Sequence, residues 1–152
     1  MDSKRQSGFT IIELIVVVAI LGIILAIATP SFQQMIANQR ISSTTSTLQS
    51  ALMLARSEAL KRNANVSFAP TTPNQWESGW NTTLTDGTVL STYAAIATVS
   101  ISSTASSIVF QGSGRVSGGS VRSFQVSAAN TSLIKCVAID LTGLPTVTTS
   151  AC

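Results

Sequence analysis

Histidine is absent from the 152 residues. That removes every histidine-dependent triad, imidazole acid–base pair and histidine metal site from consideration. Charge is also scarce: Asp, Glu, Lys and Arg make up 10% of the chain, against roughly 25% in ordinary soluble domains. The six acidic residues are scattered, so no carboxylate pair suited to acid–base work is formed along the sequence. There are two cysteines, Cys136 and Cys152, both within the last seventeen residues. No catalytic residue, metal set or cofactor motif is therefore expected, and the chain does not read as an enzyme. Ser and Thr are plentiful, which makes a neutral, hydroxyl-rich exterior. The formal net charge of +3 permits an anionic partner without demanding one.

What is present in excess is apolar sequence near the N-terminus. Phe9 to Ala28 is a run of 20 residues, almost unbroken from Ile15 onward. As a helix it would extend roughly 30 Å, the hydrocarbon thickness of a bilayer. Glu13 lies inside that run. A carboxylate there costs on the order of 2.5–3.5 kcal/mol on insertion scales, so it calls for a functional partner. A secretory signal peptide has an apolar region of only about 7–15 residues and is cut after it at small residues. Here the small-residue candidate, Ala26 and Ala28, runs on into Thr29 and Pro30. A plain membrane anchor gives no reason for Glu13.

The stretch Gly8-Phe9-Thr10-Ile11-Ile12-Glu13-Leu14, preceded by a short leader with Lys4 and Arg5, resembles the class III signal of type IV pilins and type II secretion pseudopilins. The resemblance implies cleavage by a prepilin peptidase between Gly8 and Phe9, followed by N-methylation of Phe9. It also implies that Glu13 meets the free amine of a neighbouring subunit during assembly. Opposite charges about 4 Å apart in a low dielectric attract by several kcal/mol, which can offset the burial cost. Gly22 and Pro30 punctuate the helix. Proline in a helix interior removes a hydrogen bond and favours a kink, and in pilins the segment between such residues can unwind on assembly.

From Ser31 the pattern turns amphipathic. Phe32, Met35, Ile36, Leu48, Ala51, Leu52, Ala55 and Ala59 recur at spacings of three and four. Met35 reads as core packing. The run Ser42-Ser43-Thr44-Thr45-Ser46-Thr47 is a poor helix former and interrupts the signal, yet one helix is expected through to about Arg62, with its second half on a sheet. Glu58 and Arg62 stand at i, i+4 in the favourable orientation for an ion pair.

Beyond Asn63 short runs rich in Val, Ile, Thr and Phe predict strands at 65–69, 80–84, 89–93, 98–102, 107–111, 123–127, 133–139 and 146–149. Turn signals such as Asp86-Gly87 and Gly118-Gly119 separate them. No helical period intervenes, so the sheet should be antiparallel. Gly112-Ser113-Gly114-Arg115 lacks the following helix of a phosphate loop and reads as a hairpin or bulge turn. The expected fold class is α+β: a long N-terminal helix, hydrophobic then amphipathic, packed on a C-terminal antiparallel β domain. The divisions are leader 1–8, transmembrane or filament-core helix 9–29, amphipathic helix 30–62 and periplasmic β domain 63–152.

The stretches Ala55–Arg62, Trp76 with Gly79-Trp80, Phe110–Val116 and Cys136–Ile139 resemble the GspH/FimT group of minor pilins and pseudopilins. A membrane insertion signal implies that the following domain is translocated into an oxidising periplasm. There Cys136 and Cys152 either form a bridge, worth roughly 3 kcal/mol for a loop of this size, or remain two thiols. The implied partners are other major and minor pilins or pseudopilins, the prepilin peptidase and the inner membrane. The chain would sit there as a single-pass protein before joining a type IV pilus or a type II secretion pseudopilus near its tip. The alternative is a DNA receptor for natural transformation. FimT-type receptors resemble one another in a Gly-Arg-x-Arg motif, but the matching stretch here is Gly143-Leu144-Pro145-Thr146, without either arginine. Phosphate contacts would then fall to Arg115, Arg122, Lys135 and Lys61.

Overall fold

The structure, a computed structural model, describes residues 9–152. Gly8 and the basic leader residues Lys4 and Arg5 lie outside the described residues. One helix, α1 (Ile11–Arg62), is followed by eight strands: β1 (Val66–Thr72), β2 (Gln75–Leu84), β3 (Val89–Tyr93), β4 (Ser100–Ser103), β5 (Ile108–Phe110), β6 (Arg122–Ser127), β7 (Lys135–Ile139) and β8 (Pro145–Thr148). The chain divides into two compact units at Met35/Ile36, inside α1.

In the first unit every described residue of α1 is exposed. The helix continues unbroken through Gly22 and Pro30. Phe32 and Met35 are 63% and 69% exposed, so Met35 does not pack in the core. The spacing of three and four was correct for the helix, but the buried stripe starts later, at Ala37.

The second unit holds that stripe: Ala37, Ile41, Thr44, Thr45, Leu48, Ala51, Leu52, Ala55 and Ala59. The hydroxyl-rich stretch from Ser42 to Thr47 does not interrupt the helix. Thr44 and Thr45 are buried in it, and the Thr45 hydroxyl donates to the Ile41 carbonyl at 2.7 Å. A threonine satisfied one turn back along its own helix can be buried without leaving an orphan donor. Burial of that face outweighs the weak propensity.

The strands form two antiparallel four-stranded sheets, ordered β3-β2-β1-β5 and β4-β6-β7-β8. An aromatic chain within the first sheet reaches across to the second. Phe68 of β1 stacks on Trp76 of β2 with ring centroids 5.5 Å apart, and Trp76 meets Phe124 of β6 edge-on at 4.7 Å. The Trp76 indole N–H donates to the Ala105 carbonyl at 3.1 Å, so its polar edge is satisfied inside the core. β2 begins at Gln75, five residues before the predicted strand. β1 continues past Pro70 to Thr72, where the pairing with β2 shifts register. An irregularity of this kind accommodates a proline that a regular central ladder would exclude.

Candidate functional site

The N-terminus of α1 is built by Thr10. Its side-chain oxygen accepts the Glu13 N–H at 3.3 Å, and its carbonyl accepts the Leu14 N–H at 3.2 Å. This is the geometry of an N-cap, with Glu13 three residues on in the first turn. A carboxylate at that place is also favoured by the positive end of the helix dipole. The reading of Glu13 as an assembly residue overlooked this local role, although Thr-x-x-Glu is itself a helix-start signature.

After the cap, Ile11 to Ile27 presents apolar side chains all round the helix. Phe9, Ile12 and Leu25 are 85%, 68% and 64% exposed. The helix is long and apolar enough to cross a membrane by length and composition. A helix hydrophobic on every side has no preferred face for one core; it requires apolar surroundings all round. This uncovered surface is the dominant chemical feature of the first unit.

The second unit offers a different kind of surface. Glu58 accepts from Arg62 Nε at 2.7 Å and stands 4.0 Å from Lys61 Nζ. The Arg62 hydrogen bond holds the Glu58 carboxyl below its ordinary range. Asp86 is held low by the Thr88 backbone N–H, and Asp140 by the Thr142 hydroxyl. These last two carboxylates organise their own turns. No group of three or more His, Cys, Asp or Glu comes together among the described residues.

The four basic positions considered for DNA stand on different elements: Lys61 on α1, Arg115 between β5 and β6, Arg122 on β6 and Lys135 on β7. In the β6–β7 ladder Arg122 faces Ile139 and Lys135 faces Val126, the two opposite ends. Four steps of roughly 3.4 Å separate them along the strands. Arg122 also shares the alternation of the buried Phe124 and Val126, and Lys135 that of Val137 and Ile139. Both point toward the packed side at strand ends and are half-buried. Lys61 lies beside Glu58, and Arg115 closes the turn in which Gly114 N–H donates to Gln111. Arg56 is engaged as well, donating to the Gly114 carbonyl at 3.0 Å.

The stretch Gly143–Thr146 has a structural task. Gly143 adopts φ 81°, and a Cβ there would collide with the Gly114 carbonyl and crowd Arg56. Leu144 and Thr146 are exposed, so the positions where arginines would stand are open but uncharged. Cys136 and Cys152 are joined by a disulfide with Cα atoms 5.2 Å apart. Cys136 alternates outward from Val137 and Ile139, and the bond ties the final residue back to β7.

Three comparisons bear on this arrangement. Residues 3–29 match the prokaryotic N-terminal methylation motif. A fimbrial protein of Pseudomonas aeruginosa is 39% identical over 85 residues, 55% of each chain. The type IV major fimbrial protein FimA of Dichelobacter nodosus is 57% identical over 37 residues, 24% of each. The chain thus spans about half, or less, of the length of these curated relatives. The crystal structure of the P. aeruginosa type IV minor pilin FimU superposes with a TM-score of 0.64 at 19% identity, covering 74% of this chain and 90% of FimU. That similarity shows the pilin fold, a long N-terminal helix followed by antiparallel sheets. Residues 44–143, spanning most of the packed unit, match the family described as type II transport protein GspH, and the chain belongs to that family.

Proposed function

We propose that the protein is a minor pilin or pseudopilin, a structural subunit of a type IV pilus or type II secretion pseudopilus rather than an enzyme. The observation that carries this reading is the all-round exposed apolar helix from Ile11 to Ile27, capped at Thr10 and holding a single carboxylate, Glu13. Bilayer lipid can cover that surface first, and the helices of neighbouring subunits can cover it afterwards. The subunit waits in the inner membrane with its packed unit in the periplasm and then joins the filament, near the tip. Before assembly the prepilin peptidase cuts between Gly8 and Phe9, and the Phe9 amine is methylated. Glu13 then pairs with the Phe9 amine of an adjacent major or minor subunit, while Gly22 and Pro30 allow the intervening helix to loosen. The packed unit, with its hydroxyl-rich surface, is displayed outward.

The test is the intact mass of the protein extracted from membranes of cells carrying the assembly machinery. Loss of the eight leader residues and gain of one methyl group is the expected result. A mature N-terminus at any other position would overturn the proposal.

A further inference from the structure

From Leu14 to Ala28 the helix α1 is apolar on every side, so no line along it is singled out. The next six residues are Thr29, Pro30, Ser31, Phe32, Gln33 and Gln34. Here one apolar line continues, through Phe32 and then Met35. Traced back, it runs Val18, Leu21, Leu25, Ala28, Phe32 and Met35, in alternating steps of three and four. That is the a/d repeat of a coiled coil, and polar Gln39 at the next such position ends it. Pro30 falls on the side of the helix away from this line.

An open groove of about 540 Å³ lies on the line, walled by Leu25, Ala28, Thr29, Ser31, Phe32 and Met35. The set matches the receiving surface of a parallel two-stranded coiled coil. There a knob at position a enters a hole made by the preceding d and g, the facing a and the next d. For Phe32 that hole is Ala28, Ser31, Phe32 and Met35. A knob at d enters between a, d, e and the following a; for Ala28 these are Leu25, Ala28, Thr29 and Phe32. The two holes together comprise the six residues of the groove. Ala28 and Ser31 are small, which leaves room for an aromatic knob. The Thr29 hydroxyl donates to the Leu25 carbonyl at 2.7 Å, so it can meet an apolar surface without an orphan donor.

We infer that the stretch from Leu25 to Met35 is the seam of a parallel dimer with a second copy of this chain, closed in the membrane before filament entry. The fit identifies the occupant: the groove requires a parallel helix with an aromatic knob at the same height, and this chain carries that helix. Copies inserted with one polarity meet parallel and in register. Phe32 and Met35 lie roughly 6 and 10 Å past the end of the apolar run. Hydrocarbon no longer covers them there, and burial against protein gains most. The inference rests on the membrane reading above and not on the filament.

Phe32→Cys, Met35→Cys, Gln33→Cys and Gln34→Cys can each be made in the full chain, in cells lacking the assembly machinery, and the membranes mildly oxidised. Wild type, with Cys136 bonded to Cys152, is the blank. Phe32→Cys and Met35→Cys should give a reducible adduct of twice the chain mass, and the two glutamine positions little. Equal yields at all four positions overturn the seam, and an adduct of any other mass overturns the second copy. Ala28→Phe, which fills the hole, should lower the Met35→Cys yield about fivefold or more, whereas Ala26→Phe, off the seam, should not. Equal losses overturn the knob-in-hole fit. A chain missing from the membrane fraction sinks the anchoring reading and the seam with it. A chain present there that forms no adduct sinks the seam alone.

Discussion

The two units use one helix in opposite ways. Up to Met35, α1 exposes every described residue, apolar ones included; from Ala37 it buries a stripe and leaves the other side polar or mixed. The difference lies in the arrangement of side chains rather than in their number. An all-round apolar helix cannot be satisfied by one sheet, whereas a stripe at spacings of three and four can. A continuous secondary-structure element can therefore belong to two folding problems, one solved within the chain and one left for lipid or other subunits.

Substitutions that separate the two halves test this division most directly. Glu13→Ala carries the largest expected effect. If Glu13 pairs with a neighbour's Phe9 amine as proposed, the change removes both the charge penalty in the membrane and that ion pair, so membrane level should hold or rise while recovery in sheared filaments falls about tenfold or more. Wild-type recovery would remove the pairing role. Trp76→Ala should destabilise the packed unit by about 3–5 kcal/mol, the range for truncating a large core aromatic. Leu21→Ala, in the exposed half, should leave its melting temperature within a degree or so. Calorimetry of the full chain in detergent measures both, and equal effects would erase the distinction.

A smaller loss, about 3 kcal/mol, is expected for Cys136→Ser, from release of a loop closed over a separation of 16 residues. The same loss on adding reductant to the wild type would identify the bond as the cause; unchanged melting in both cases would show that the bond adds no stability.

Acid should have the smallest effect. Asp140, Asp86 and Glu58 are all held below their ordinary values in the folded chain. Their contribution is present above the unfolded carboxylate range of roughly 3.9–4.3 and fades as pH falls through the lower folded values. Asp86 and Asp140 are exposed and Glu58 is half-buried at the surface beside Lys61 and Arg62, so solvent screens most of it. A melting temperature that rises on acidification through that range would contradict the sign.

Much of this was legible in the sequence. Each of the eight strands overlaps a predicted run, because Val, Ile, Thr and Phe alternate between turn residues. The misses have local causes. Pro70 concealed the end of β1 because a proline in a run argues against a strand unless the ladder is irregular there, and irregularity is a tertiary fact. The helix through Ser42–Thr47 was expected despite a weak local signal, because propensity counts the hydroxyls and not the carbonyl one turn back that takes Thr45. Met35 obeyed the helical period yet stands outside the packed unit, since periodicity says which side a residue is on and not whether anything covers it. Strand alternation alone would have placed Arg122 and Lys135 toward the packed side, where both are half-buried. Their places at opposite ends of one ladder needed the register. Thr10 was visible as a cap but was passed over for the larger pattern around it.

Both tryptophans of the chain, Trp76 and Trp80, are at most 2% exposed and lie in β2. Intrinsic fluorescence therefore reports on the packed unit and is silent about the first thirty-five residues. In the folded protein the emission should be blue-shifted, and it should move to the red only when that unit opens. Leader removal, methylation or transfer of the helix from lipid to a filament would leave the spectrum in place. The same cuvette measurement thus separates a subunit that has unfolded from one that has merely changed its surroundings.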